Sequence, residues 1–396
     1  MKHVFITGAT GAIGSALVPL FLAEPDTRLS LLLRAKSQSD LERRVQELLR
    51  FWSIDPRDRA YTDRIRALQG DVSKPCFALA RQDYERLTRE ITHVVHAAAN
   101  VKMTLPLEEA RASAVTSVRW LLELVEACAR QGVLSKVEVV STVGVAGRMR
   151  GLIPERPLTE VGTFHNTYEA AKAEAEKIVF GVWQEWPITV HRPSMVVGDS
   201  RTGKVMHFQV FYYLCAFLSG QPTAGLVLRA AEATLDIIPV DYVAQGIYWA
   251  SGHVQVAGRI LHLCSGPEKA IKIPVLMQQV RAFMRARGAK LPHLYPLPRA
   301  CFRALLPMIA YFTSPQVRRA LRTLPLFLDY LDQPLMFSNA ETKQLLTPAG
   351  ITVPPVHTYL ETILRYYDQA KAASAGRAAV SQQKSESDPY AQCRTW

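Results

Sequence analysis

Tyr168 and Lys172 stand four residues apart in YEAAK, a helix-compatible stretch, so a phenol and an ammonium share one face. A cation beside a phenol favours the phenolate and lowers the phenol's pKa from about 10, which makes Tyr168 a general acid or base near neutral pH. Tyr and Lys at this spacing also recur on helices for purely structural reasons. Position separates the two readings: the pair follows VVSTVG (139–144), where an apolar run ends in Ser141 and Thr142. One of these hydroxyls is placed to hold a substrate carbonyl, and the other to cap the strand end.

A second constellation lies at the start of the chain. TGATGAIG (7–14) directly follows the apolar run 3–6 and directly precedes an apolar helix-like stretch, 12–22. Strand, glycine turn and helix in that order form the phosphate cradle of a dinucleotide site, with Gly8, Thr10, Gly11, Ala12, Ile13 and Gly14 as its residues. Gly8 permits the tight turn, Gly11 lets backbone approach a pyrophosphate, Gly14 lets helix and sheet pack, and the helix N-terminus faces negative charge. The second apolar run ends LLLRAKS (31–37), without the carboxylate that would bind a ribose 2′-hydroxyl. Arg34 stands there instead, with Lys36 and Ser37 beside it, and a guanidinium fork matches a 2′-phosphate; this favours NADPH over NADH. Asp71 and Val72 follow the third run, where a carboxylate either receives an adenine amino group or caps a turn. Ala97, Ala98 and Ala99 follow the fourth, where small side chains admit either a cofactor or a closely packed helix.

These groups need a scaffold that brings strand ends together. Short β-branched runs at 3–7, 29–33, 65–69, 93–96, 137–141 and 188–191 alternate with helical patterns at 12–22, 40–52, 107–131 and 167–186. The alternation predicts an α/β fold, a doubly wound parallel Rossmann sheet, with a smaller, mostly helical C-terminal substrate lobe. Residues 1–265 read as the NADP-binding domain with lobe insertions from about 199, 266–369 as a substrate or lid region, and 370–396, small and polar, as a disordered tail. Aromatic-rich 208–217 and basic amphipathic 294–330, with Arg299, Arg303, Arg318, Arg319 and Arg322, are placed to line an acyl tunnel; the second either packs as ordinary helices on the core or serves as a membrane-surface or acyl-substrate lid.

The chain has 396 residues, 48% of them hydrophobic, which supports a sizeable core and excludes a fibrous or disordered protein. Its net charge of +12 suits anionic partners: a phosphate-rich cofactor, coenzyme A, an acidic carrier protein or a membrane surface. Six cysteines without metal-ligand spacing imply no metal and a reducing compartment. No apolar run approaches the roughly 20 residues of a membrane span, so a cytoplasmic protein, peripheral at most, is expected.

TGATGAIG, Arg34, GDVSKP, VVHAAANV, VVSTVGVAG, YEAAK and HRPSMVVGDSRTG together resemble the extended short-chain dehydrogenase/reductases over about residues 1–265. Within that superfamily the basic insertion 34–66, HAAANV and STVGVAG are most similar to fatty acyl-CoA reductases and to the thioester reductase domains of carboxylic acid reductases and of peptide or polyketide synthases. The resemblance implies Thr142 as the carbonyl-binding hydroxyl, Tyr168 as proton donor and Lys172 as ribose ligand and pKa modifier. It also places Pro193, Ser194, Met195 and Val196 beside the nicotinamide. Its implied reaction is NADPH-dependent reduction of an acyl thioester, carried by coenzyme A or a carrier protein, to an aldehyde and onward to an alcohol if a second hydride follows. No nucleic acid partner is implied, and a homodimer is by analogy. Two alternatives stay open: a ketone or alcohol oxidoreductase acting on a steroid-like or flavonoid-like substrate, and a catalytically silent NADP sensor. Cys76-Phe77-Ala78-Leu79 depart from the Gly-Leu usual after GDVSKP, and Lys102-Met103 replace a different polar pair.

Overall fold

The structure is a computed structural model that describes residues 1–159, 162–229, 233–311 and 335–386. Arg318, Arg319 and Arg322 lie outside the described residues, as does Cys393.

Seven strands form one parallel sheet: β1 (Lys2–Thr7), β2 (Thr27–Leu33), β3 (Ile65–Gln69), β4 (His93–His96), β5 (Lys136–Val140), β6 (Ile188–Pro193) and β7 (Ile260–Leu263). Their spatial order is β7-β6-β5-β4-β1-β2-β3. The order reverses between β1 and β4, the crevice where such sheets bind ligands at their carboxyl ends. Helices cover both faces, so the strands other than β3 are buried almost throughout, including the polar side chains Lys136, Glu138, His191 and Arg192. Helices α1 (Ala12–Leu22) and α2 (Gln38–Trp52) close one face through Leu17, Phe21, Leu41 and Leu48. The other is closed by α3 (Arg81–Glu90), α4 (Ser117–Arg130) and α5 (Thr167–Phe180), through Leu87, Leu121 and Val179. A later helix, α6 (Val240–Ser251), returns from the lobe and packs with α1 through Val243 and Ile247.

Local chemistry fixes the ends of the helices that matter for the site. Ser37 caps α2 by accepting a bond from the Asp40 amide, and Asn166 caps α5 by accepting one from the Glu169 amide at 3.0 Å. Two helices differ from the sequence expectation. The stretch 107–131 is interrupted by a π turn at Ala112–Thr116, next to which the Ser117 hydroxyl donates to the carbonyls of Ser113 (2.7 Å) and Ala114 (3.0 Å). The stretch 167–186 is helical only to Phe180, where Gly181 forms its C-cap.

A second core gathers the lobe. Phe211, Tyr212, Phe217 and Leu218 of the helix Val210–Leu218 pack with Leu276, Val280 and Phe302, and with Tyr359 and Ile363 of the last helix. The aromatic run 208–217, read as a tunnel lining, is therefore largely spent on packing; its Tyr213 is the large exposed side chain. The last helix, Val356–Glu386, continues through 370–386, where the composition predicts a disordered tail. The alanines that make that segment look structureless are strong helix formers. Among the described residues no helix is long and apolar enough to cross a membrane.

Gly14 shows how tightly the first turn is built: a Cβ there would overlap the Gly8 carbonyl oxygen. Gly14→Ala is expected to cost about 2 kcal/mol or more of stability through forced overpacking, read as a lowered urea midpoint with an unchanged m-value.

Candidate active site

The cradle is shaped by what is missing from its side chains. Gly8 has φ +78°, and a Cβ on it would lie 2.6 Å from the backbone of Ala97 and Ala98, so the β1 turn and the β4 turn touch main chain to main chain. The Ala97 amide donates to the Thr7 carbonyl at 3.2 Å and the Ala98 amide to the Thr7 hydroxyl at 3.3 Å. Gly11 is the N-cap of α1, with no side-chain cap and no acidic residue in the first turn. The first-turn amides, Ala12 and Ile13 among them, are thus left for an anionic ligand, and a pyrophosphate fits.

Beyond the carboxyl ends of β2 and β3, where the sequence places the adenosine half of the cofactor, a cavity of about 550 Å³ is lined by Arg34, Gln38, Gly70, Asp71, Ala78 and Ala80. Arg34 is exposed at the end of β2 and, among the described residues, forms no ion pair with a carboxylate, which leaves its fork available to a 2′-phosphate. Of the two readings of Asp71, the structure gives the turn: its Oδ1 accepts from the Ser73 amide (2.9 Å) and the Ser73 hydroxyl (2.8 Å). Asp71 is also one of the residues lining the cavity, and Val72 follows it in the turn. The departure noted at Cys76-Phe77-Ala78 falls in this wall. All three residues adopt left-handed backbone (φ 47°, 58° and 53°), a conformation glycine takes without penalty. Phe77 offsets that cost by burying its ring completely, 5.7 Å from the ring of Phe5.

At the carboxyl edge the three expected catalytic side chains converge. Thr142 begins a short turn after β5; its hydroxyl oxygen accepts from the Gly144 amide at 3.1 Å, and the hydroxyl lies near enough to the Tyr168 phenol to act on its pKa. Thr142 is therefore at once the strand-end cap and the hydroxyl at the phenol, while the buried Ser141 hydroxyl has no hydrogen-bond partner among the described residues. Lys172 is buried one helical turn behind Tyr168 and donates to the Val140 carbonyl at 2.9 Å.

The electrostatics differ from the sequence expectation. Withdrawal from water pushes the Tyr168 pKa up to about 12, against the lowering effect of the Thr142 hydroxyl, and Glu169 next to it adds to the rise. Burial lowers Lys172 to about 8. Desolvation outweighs attraction here because the ammonium is turned to a backbone carbonyl rather than to the phenol.

Pro193 ends β6, and Met195 and Val196 run parallel to Ile237 and Ile238 in a short two-stranded sheet. Ser194 donates to Asp236 at 2.6 Å, and Asp236 also accepts from the amides of Ser265 (2.8 Å) and Gly266 (3.1 Å). Asp236 was not among the candidates; the only sequence signal is a carboxylate set into the apolar run LDIIPV. His96 is a second such residue. Its neutral, fully buried ring meets the Thr7 hydroxyl at 2.9 Å and the Ser117 hydroxyl at 3.4 Å, tying the cradle strand to α4.

Known proteins are similar to this chain in sequence and fold. The terminal R domain from the myxalamid PKS-NRPS biosynthetic pathway superposes with a TM-score of 0.76 at 26% identity, over 92% of this chain and 90% of that one. A non-reducing polyketide synthase of Talaromyces marneffei is 28% identical over 252 residues, which are 61% of this chain and 10% of the synthase. A putative fatty acyl-CoA reductase of Drosophila melanogaster is 23% identical over 283 residues, 61% of this chain and 50% of that protein. The chain thus spans about a tenth of the length of the first synthase it matches and half that of the reductase. The family model described as male sterility protein, an NAD-binding domain, matches residues 6–247, well over half of the sequence. With a glycine cradle, a seven-stranded parallel sheet and a Thr–Tyr–Lys set at its carboxyl edge, the chain belongs to the male sterility family of NAD-binding domains.

Proposed function

We propose that this protein reduces an acyl thioester to an aldehyde at the expense of NADPH. The observation that carries the reading is the meeting of Thr142, Tyr168 and Lys172 at the sheet edge served by the glycine cradle and by Arg34. The likeness to an R domain across nine-tenths of both chains supports it.

Bound NADPH supplies the hydride. The chain's own residues then have three tasks. The cradle amides and Arg34 hold the two phosphate ends of the dinucleotide. Thr142 and Tyr168 meet the carbonyl oxygen as it gains negative charge, and Tyr168 gives up its phenolic proton to it. The thiohemiacetal so formed collapses with loss of thiolate, and a proton returns to the phenolate side of the site. A phenol held protonated at rest suits this direction, since the donor must carry its proton when hydride arrives. Lys172 supplies the positive charge that makes the departing proton less costly. The net charge of +12 favours a substrate borne on a phosphopantetheine arm, whether of coenzyme A or of an acidic carrier protein.

Purified protein is assayed with NADPH and a panel of acyl-CoAs, acyl-carrier conjugates, aldehydes and ketones; with the thioesters it is expected to lose nicotinamide absorbance and release free thiol in equal amounts. Turnover of ketones alone would exclude thioester reduction, and NADPH binding without any turnover would favour a sensor. Tyr168→Phe is expected to lower kcat by about 100-fold or more with NADPH affinity nearly unchanged; substantial residual rate removes Tyr168 from the mechanism. Arg34→Ala is expected to weaken NADPH binding by about tenfold or more and leave NADH binding unaltered, measured by titrating nicotinamide fluorescence. Equal losses for both cofactors would show that Arg34 does not read the 2′-phosphate.

A further inference from the structure

Behind Lys172 the interior holds a charged pair that the reaction outlined above does not use. Glu176 lies one turn further along α5 and is almost wholly buried. The i, i+4 spacing puts it on the face of Lys172, at about 5–6 Å between Cβ atoms. Arg192 of β6, with no exposed surface, grips it in a two-bond fork: Nε donates to Oε1 at 2.9 Å and Nη2 to Oε2 at 2.6 Å. The rest of the guanidinium is held from the far side, with Nη1 donating to the Arg156 carbonyl at 3.1 Å and lying 3.3 Å from His262 Nε2.

Few other charges bear on Lys172. Tyr168 and Glu169 precede it on α5, and His96 of β4 is kept neutral by burial and by the Lys172 charge itself. Arg111, from the segment packed across α5, is turned outward to Glu174 and Glu108. Arg119 and Glu123 of α4 are exposed, and the turn 143–146 brings no charge. Among the described residues Lys172 has no carboxylate within ion-pair distance, so its charge is supported from a short way off, by Glu176.

We infer that the Arg192–Glu176 pair is a positioning element for the active site: Glu176 keeps Lys172 protonated, and Arg192 sets how much of the carboxylate's charge reaches it. In a water-poor interior a charge one turn away acts on an ammonium far more strongly than it does at the surface. The fork also fixes Glu176 in place, so its influence does not depend on a mobile side chain. The inference rests on the reading of Lys172 as the cation behind the proton donor.

The test follows Lys172 directly and by rate. In full-length protein carrying lysine labelled with carbon-13 at Cε, the Lys172 resonance is identified by its loss in Lys172→Arg and titrated by NMR. Because the cationic form is lost as pH rises, removing the negative charge must bring that loss to lower pH. Glu176→Gln is expected to lower the midpoint by roughly one pH unit, while Glu176→Asp, which keeps the charge, holds it near that of the parent. Arg192→Gln, which leaves the carboxylate uncompensated, is expected to raise it. An unmoved midpoint in Glu176→Gln overturns the inference. If Arg192→Gln does not fold, the two Glu176 variants decide. The basic limb of kcat/KM for NADPH-dependent thioester reduction is expected to move with each midpoint. Midpoints that move while the rate profile stays fixed uphold the pair's hold on Lys172 and refute the catalytic role assigned to that lysine. A lost hydrogen bond that merely loosened the fold would lower rates across the pH range and shift neither midpoint.

Discussion

The bond from Lys172 to the Val140 carbonyl fastens α5, which carries the proposed catalytic pair, to the end of β5, and the geometry of the proposed reaction edge depends on it. It fixes the depth at which α5 lies on the sheet, and with it the approach of Tyr168 to the turn that begins at Thr142. The same depth removes both ionisable groups from water. Their pKa values then move against charge: the phenol toward about 12 and the ammonium toward about 8. A phenol that keeps its proton until a neighbouring oxygen becomes negative releases it only as the transition state forms, which is where an interaction speeds a reaction.

The cofactor side depends on a steric constraint rather than on charge. Main chain meets main chain where Gly8 touches the turn at Ala97 and Ala98, and again where Gly14 meets Gly8, so the floor of the cradle leaves no room for even one methyl group. His96 reinforces that floor from beneath, reaching Thr7 on one side and Ser117 beside the π turn on the other. A π turn admits an extra residue into the helix and turns Ser113 toward the loop after β4, where its hydroxyl accepts from the Asn100 amide at 2.9 Å. Backbone irregularity thus borders the glycine cradle and the loop after β4. Ala78, the last of the three left-handed residues at 76–78, lines the cavity beyond β2 and β3.

Much of this was legible in the sequence, because strands and crossover helices write their periodicity locally. The six early strands fall where their β-branched runs lie, and the glycine turn, Arg34 and the Tyr–Lys spacing were readable from motif and context alone. What escaped depends on partners far along the chain. Asp236 meets Ser194 across 42 residues, and Arg192 meets Glu176 only once β6 has been laid beside α5. The aromatic run 208–217 carries no mark that tells a tunnel lining from a packed core; the difference is made by Tyr359 and Ile363, which arrive some 150 residues later. The Tyr168 pKa escaped for a related reason. Spacing shows which charge lies near a phenol, but only the fold shows how much water has been removed from it.

Asp236 also explains how two separately packed cores can share one site. The chain leaves the sheet at Ser194, returns from the lobe through the short strand Ile237–Pro239 beside Met195–Val197, rejoins the sheet as β7 and leaves it again at Ser265. One carboxylate spans all three points, accepting from the Ser194 hydroxyl and from the Ser265 and Gly266 amides. Burial works against its charge and pushes its pKa up, while each of these bonds works the other way. The knot therefore holds as long as all its donors stay in place, and a lobe that swung away from the sheet edge would have to leave a carboxylate short of donors. That penalty resists independent motion of the lobe at the one boundary where the residues proposed to border the nicotinamide, Pro193 to Val196, must stay in register with Thr142 and Tyr168.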